Sequence, residues 1–171
     1  MCIRDSYNTV DVRHILFKVD TSSLDSKADD YQAKLEDLKA GKKQEAENAL
    51  QAWKDGDATE ESFAALANEL SADAGSNTNG GLYTKIYKNQ MVTEFNDWCF
   101  DASRQSGDTG IVYGESSNYK GYHVIYFVGD DVPYWQVQAE NALRNTDTEA
   151  WLDGLLDSAD VVQEAGMKHV G

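Results

Sequence analysis

The run Tyr122–Val128, YHVIYFV, constrains this chain more than any other segment. Its β-branched and aromatic residues pack well on a pleated strand and poorly in a helix, so it reads as a β-strand. A second run of the same character, Val10–Val19 (VDVRHILFKV), lies near the start. Alternation puts Ile15, Phe17 and Val19 on one face of it, with His14, Leu16 and Lys18 on the other. Leu82–Tyr87 is long enough for a short strand. Gly110–Tyr113 begins another, and Ser116–Gly121 forms the hairpin loop before Tyr122.

Helical spacing fills the gaps. From Ala28 to Trp53, the positions Tyr31, Leu35 and Leu38, then Ala46, Ala49, Leu50 and Trp53, predict one long helix or two separated near Gly41. Thr59 and Ser62 offer caps for a helix that carries Phe63, Leu66, Ala67 and Leu70 on one face. Ser71–Gly81 has no hydrophobic residue larger than alanine and reads as a surface loop. Val92–Ala102 predicts a short helix with Phe95, Trp98, Cys99 and Ala102 inward. Pro133, the sole proline, suits the first turn of a helix over Tyr134–Ser158, where Trp151, Leu152, Leu155, Leu156 and Ala159 form an apolar stripe. Val161–Val170 is a candidate terminal strand. Strands separated by helices, with hairpin spacing late in the chain, indicate an α+β fold with an antiparallel sheet.

Composition narrows the function. The 171 residues suffice for one ordinary domain with room for a second small one. A net charge of −15 leaves no basic stripe for phosphates, which argues against nucleic acid as a partner. Cys2 and Cys99 make neither a disulfide framework nor a CxxC pair, and Cys99 reads as a buried small hydrophobe. No apolar run is long enough to span a membrane. Met1–Ser6, MCIRDS, matches the translation of a sequencing-library adapter, so an upstream segment is expected to be missing.

Four segments in order carry a family resemblance: Arg13-His14-Ile15-Leu16; Phe63–Ser71 followed by Asp73 and Gly80-Gly81; Gln90-Met91 with Glu94-Phe95 and Phe100; and Gly121-Tyr122-His123-Val124-Ile125. Together, from about Val12 to Gly129, they resemble the parvulin-type peptidyl-prolyl cis/trans isomerase domain. The likeness is greatest to the extracytoplasmic bacterial foldases of the PrsA and SurA type, in which this domain is inserted into a helical chaperone module. The resemblance implies a four-stranded antiparallel sheet flanked by helices, with His14 and His123 on neighbouring strands. It also implies a partition into a non-native start and linker (1–9), the isomerase domain (10–131), and a C-terminal helix and strand from a truncated chaperone module (132–171). Where the family has Gly-Gly-Asp-Leu-Gly, this chain reads Gly80-Gly81-Leu82-Tyr83-Thr84, and the hairpin Gly114–Lys120 looks longer than usual.

By resemblance, His14, Asp73 and His123 are the catalytic constellation, while Tyr83, Gln90, Met91 and Phe95 line the proline pocket. Residue patterns alone are blander. A pair spaced like Met91 and Phe95 is usually core, a strand histidine is usually structural, and a loop aspartate usually caps its own turn. The implied activity is non-covalent isomerisation of X-Pro bonds in unfolded polypeptides, with no metal and no cofactor. The loop after Lys18 has no arginine, which argues against phosphoserine-proline selectivity. The alternative is a chaperone or peptide-binding module with little or no isomerase activity, motivated by Tyr83 and Thr84. A hydrolase has no supporting motif. The resemblance further implies a location outside the cytoplasm, and the C-terminal stripe suggests self-association.

Overall fold

The computed structural model describes residues 7–116 and 119–158. Eight elements follow in order: β1 (Asn8–Lys18), α1 (Tyr31–Asp55), α2 (Glu60–Leu70), β2 (Leu82–Ile86), α3 (Thr93–Cys99), β3 (Thr109–Glu115), β4 (Lys120–Pro133) and α4 (Tyr134–Ser158). The strands form one antiparallel sheet in the order β2-β1-β4-β3, so the α+β reading stands. The chain divides after Tyr134 into two compact units, the second beginning at Trp135.

Each sheet face has its own core. Ile15, Phe17, Val124 and Tyr126 pack with Ala46, Ala49, Leu50 and Trp53 of α1 and with Phe63 and Ala67 of α2. Phe63 is fully buried, with Trp53 and Tyr126 ring centroids 5.7 and 5.4 Å away. On the opposite face, Val10, Val12, Ile125 and Phe127 pack with Ile86 and with Phe95 and Cys99 of α3. Burial of each such side chain contributes about 1.5–3 kcal/mol.

Local chemistry explains where elements begin and end. Thr59 and Ser62 form a reciprocal capping box that starts α2, as their spacing predicts. Gly41 does not break α1; its surroundings are open and one helix runs through it. α3 is shorter than Val92–Ala102, because Asp101 Oδ1 accepts the Ser103 N–H at 2.8 Å and turns the chain away, leaving Ala102 exposed. β4 runs well past Val128. Gly129 and Asp130 continue the ladder against Asp11 and Val10 of β1, where register shifts absorb the mismatch. Pro133 ends that strand and α4 begins one residue later. A strand end suits a residue with no N–H to donate.

In the second unit, α4 buries none of its residues, and Leu143, Trp151, Leu152, Leu155 and Leu156 are exposed. The candidate strand Val161–Val170, Ala159, and the starting segment Met1–Ser6 lie outside the described residues.

Phe63→Ala empties the centre of the aromatic cluster. It should lower unfolding stability by about 3–5 kcal/mol in urea titrations, without changing the strand order. A loss below about 1 kcal/mol would mean that Trp53 and Tyr126 do not depend on it.

Candidate active site

The edge of β1 carries three successive kinds of hydrogen bond, and these build the site. Residues Val10–Arg13 pair with β2. His14 N–H then donates to the Gly81 carbonyl at 2.9 Å. Leu16 N–H donates to Ser71 Oγ at 3.1 Å, and its carbonyl accepts the Ala72 N–H at 2.9 Å. The segment 71–81 therefore docks along β1, beyond the end of β2. It is less exposed than a surface loop, because Ser71 and Ser76 are buried. Small polar residues, uninformative in the sequence, are what allow this close approach. Gly81 sits at φ +68°, and a Cβ there would collide with the His14 carbonyl oxygen. Only glycine admits both the conformation and the contact.

This docking brings Asp73 to His14. Asp73 Oδ2 lies 3.0 Å from His14 Nε2, accepts the Ser76 hydroxyl at 2.6 Å and accepts the Tyr83 hydroxyl at 2.9 Å. Its other oxygen, Oδ1, accepts the Gly75 N–H at 3.2 Å. His14 Nδ1 lies 3.2 Å from Nδ1 of His123 on the adjacent strand. A carboxylate can only accept, so His14 presents Nε2–H to it. One of the two facing Nδ1 atoms donates to the other, which leaves Nε2 as the second ring nitrogen of His123. That nitrogen is buried and has no hydrogen-bond partner among the described residues.

The hydrogen bond with His14 is the largest influence holding Asp73 well below the ordinary carboxylate range; Ser76, Tyr83 and Gly75 add to it against the cost of burial. Burial pushes His123 down to about 3, helped by its neighbour His14, so its ring stays neutral at physiological pH. Burial, and then Asp73, push the Tyr83 phenol up to about 12.

These groups face a cavity of about 310 Å³. Asp73, His14 and His123 line one side; Met91, Val92 and Phe95, at the start of α3, line an apolar side. Leu16, Lys18, Ala72, Tyr83 and Tyr119 complete it. The cavity thus combines a fixed negative charge, two buried imidazoles and an apolar wall.

Six of the seven residues singled out from sequence line this cavity. Gln90 does not. It is exposed, and its side chain accepts the Tyr87 N–H at 3.0 Å, closing the turn before Met91. Tyr83 does more than line the wall, since its hydroxyl reaches Asp73. Phe95 serves two roles, being 2% exposed within the core and also walling the cavity. Sequence reading missed Ser76, Leu16, Val92 and Tyr119. Leu16 was visible in principle, because strand alternation puts it on the His14 face. Tyr119 belongs to the long hairpin, and its ring lies 5.5 Å from that of His123.

An antiparallel sheet with paired histidines, a docked carboxylate and an apolar wall makes up a parvulin-like α+β domain. Residues 2–130 match the PPIC-type PPIase domain, and the chain belongs to that family. No curated protein matches significantly. Among solved structures, the peptidylprolyl isomerase PrsA of Bacillus cereus is similar in fold, with a TM-score of 0.51 and 22% identity over 95% of this chain. PrsA of Bacillus anthracis gives 0.49 and 22% over 84%. A structure from work on the SurA-like chaperones PEB4 and Cj1289 of Campylobacter jejuni gives 0.47 and 22% over 94%. The chain spans 55%, 51% and 58% of those three chains, respectively.

The buried neutral His123 makes a pH prediction. Its folded value lies below the ordinary 6.5, so its contribution is fully present above pH 6.5 and is lost as pH falls toward 3. Between pH 7.5 and pH 5 this removes about 2 kcal/mol. In urea titrations at those two pH values, His123→Leu should show a correspondingly flatter dependence than the wild type. Identical slopes would mean that His123 takes up its proton in the folded chain just as it does in the unfolded one.

Proposed function

We propose that this domain catalyses cis/trans isomerisation of X-Pro bonds in unfolded polypeptides without forming a covalent intermediate. The observation that carries this reading is the juxtaposition of an ionised Asp73 and an apolar Met91–Val92–Phe95 wall in one cavity. Rotation about an X-Pro amide is opposed by a resonance barrier of about 18–20 kcal/mol, and uncatalysed exchange takes roughly tens to hundreds of seconds. Resonance places negative charge on the carbonyl oxygen and positive charge on nitrogen; twisting removes both. A carboxylate fixed beside the carbonyl therefore destabilises the planar amide relative to the twisted one, which is the differential binding that catalysis requires. The apolar wall acts in the same direction by gripping the proline ring and favouring the less polar twisted amide. His14 and His123 orient Asp73 rather than relaying protons. Lys18 lines the same cavity and the loop that follows it, Val19–Asp25, has no arginine, which argues against a phosphorylated substrate.

A chaperone reading, in which the cavity holds peptide with little isomerisation, draws on Tyr83 standing where an apolar residue is usual. The resemblance to extracytoplasmic foldases supports a location outside the cytoplasm, and no described helix is long and apolar enough to cross a membrane. The exposed stripe on α4 supports self-association, since each large apolar side chain left in water forfeits about 1.5–3 kcal/mol.

A protease-coupled assay on X-Pro tetrapeptides separates the two readings. Met91→Ala should lower kcat/KM roughly tenfold, by the loss of about 1–2 kcal/mol of apolar contact. Asp73→Asn should lower kcat by about tenfold or more while keeping the fold. Phe95→Leu is preferable to Phe95→Ala, which would cost about 3–5 kcal/mol of stability from the core. Undiminished turnover in both Met91→Ala and Asp73→Asn would place isomerisation elsewhere. A wild-type chain that suppresses aggregation without accelerating isomerisation would favour the chaperone. For self-association, light scattering of the full chain should give a mass above the monomer's that falls in Leu152→Ser/Leu155→Ser; a monomer in both would end that idea.

A further inference from the structure

We propose that Tyr83 is a positioning residue, whose hydroxyl anchors the Asp73 carboxylate against His14. The role deepens the isomerase reading and rests on it. Asp73 Oδ2 receives three donors from three separate parts of the fold: His14 on β1, Ser76 in the docked loop and Tyr83 on β2. Oδ1 receives only the Gly75 N–H. A carboxylate offers about four lone-pair directions in all, so Oδ2 is crowded with donors while Oδ1 keeps acceptor capacity. A proton arriving at Oδ2 would meet three groups already donating to it. The crowding fixes which oxygen faces His14 and opposes protonation of that oxygen.

Tyr83 is suited to this role by where the sheet holds it. It pairs with Val12 across β1–β2, and its ring lies 5.2 Å from the His14 ring. One side chain thus touches both members of the Asp73–His14 pair. An apolar residue at this position would supply the wall but not the third donor. The phenol remains protonated, and so remains a donor, across the whole working pH range. The other groups facing Asp73 are Ser76 and His14, with Tyr119 from the hairpin and His123 from β4 acting through space. Lys18, on β1, lines the same cavity. Of these, Ser76 also meets the Tyr83 hydroxyl; when that hydroxyl is removed, the Ser76 hydroxyl keeps Asp73 and the His14 contact stays in place.

The test uses the full chain, wild type and Tyr83→Phe, with two readouts followed from pH 8 down to the lowest pH at which each chain stays folded. One is the 13C NMR titration of the Asp73 carboxyl carbon. The other is the pH profile of kcat/KM on an X-Pro tetrapeptide. Loss of a hydrogen bond to a charged group should move the Asp73 midpoint upward by roughly one pH unit or more. The acid limb of the profile should rise with it, and KM should change little because the ring remains. Tyr83→Leu, which removes the hydroxyl and supplies an ordinary apolar wall, should shift the midpoint in the same direction. An Asp73 midpoint unmoved in both variants overturns the proposal. So does a kinetic loss confined to KM with the pH profile unchanged, since Tyr83 would then be wall only. If the wild type itself fails to isomerise peptide yet the midpoint shifts, the anchoring of Asp73 is upheld and the isomerase reading falls.

Discussion

The pairing of β1 with β4 is the contact on which the site depends. Leu16 lies opposite His123 and His14 opposite Ile125, so the two histidines are diagonal neighbours on one face of the sheet. Val12 and Phe127, further along the same face, bury the ladder under α3. Because side chains alternate, a slip of one residue in this pairing would turn His123 toward α1 and α2 and separate the imidazoles. The register is held by burial on both faces. Ile15 and Phe17 must remain in one core while Val10 and Val12 remain in the other.

From that ladder the carboxylate follows. β2 occupies only part of the β1 edge, and the donors and acceptors left over at Leu16 are taken by Ser71 and Ala72. Satisfying a buried strand edge and placing a charge next to a histidine are here one event. The proposed amide rotation calls for no metal or nucleophile; it calls for a charge that does not move. Donors from β1, β2 and the loop converge on Asp73, which is how a segment without regular secondary structure comes to hold a fixed group.

Much of this was readable in the amino-acid order. YHVIYFV announced the central strand, Thr59 with Ser62 announced the start of α2, and alternation put His14 and Leu16 on one face. The length of β4 was not readable, because Gly129-Asp130-Asp131 has turn chemistry and is held extended only by β1. The docking of 71–81 was equally hidden. Nothing in a string of serine, asparagine, aspartate and glycine shows that its backbone will complete a sheet edge. Gln90 stands outside the cavity lining for a related reason. Its position before Met91 matched a family pattern, but the side chain closes its own turn. Tyr83 was found as a wall, and its bond to Asp73 became visible only when β2 was set beside the loop.

The two ends of the sheet domain leave it side by side. Asn8 pairs with Pro133, Thr9 Oγ1 donates to the Val132 carbonyl at 2.8 Å, and Tyr134 N–H donates to the Tyr7 carbonyl at 3.0 Å. Tyr7 and Tyr134 stack across the same junction. Entry and exit are therefore separated by about one strand spacing, roughly 5 Å. To a polypeptide into which such a unit is spliced, the whole folded sheet is equivalent to a short closed loop. Chain ends already held together add little loop-closure entropy to the host, however many residues lie between them. The aromatic and hydrogen-bonded clasp at the base of β1 and β4 thus gives the sheet domain closely spaced ends, the geometry that domain insertion favours.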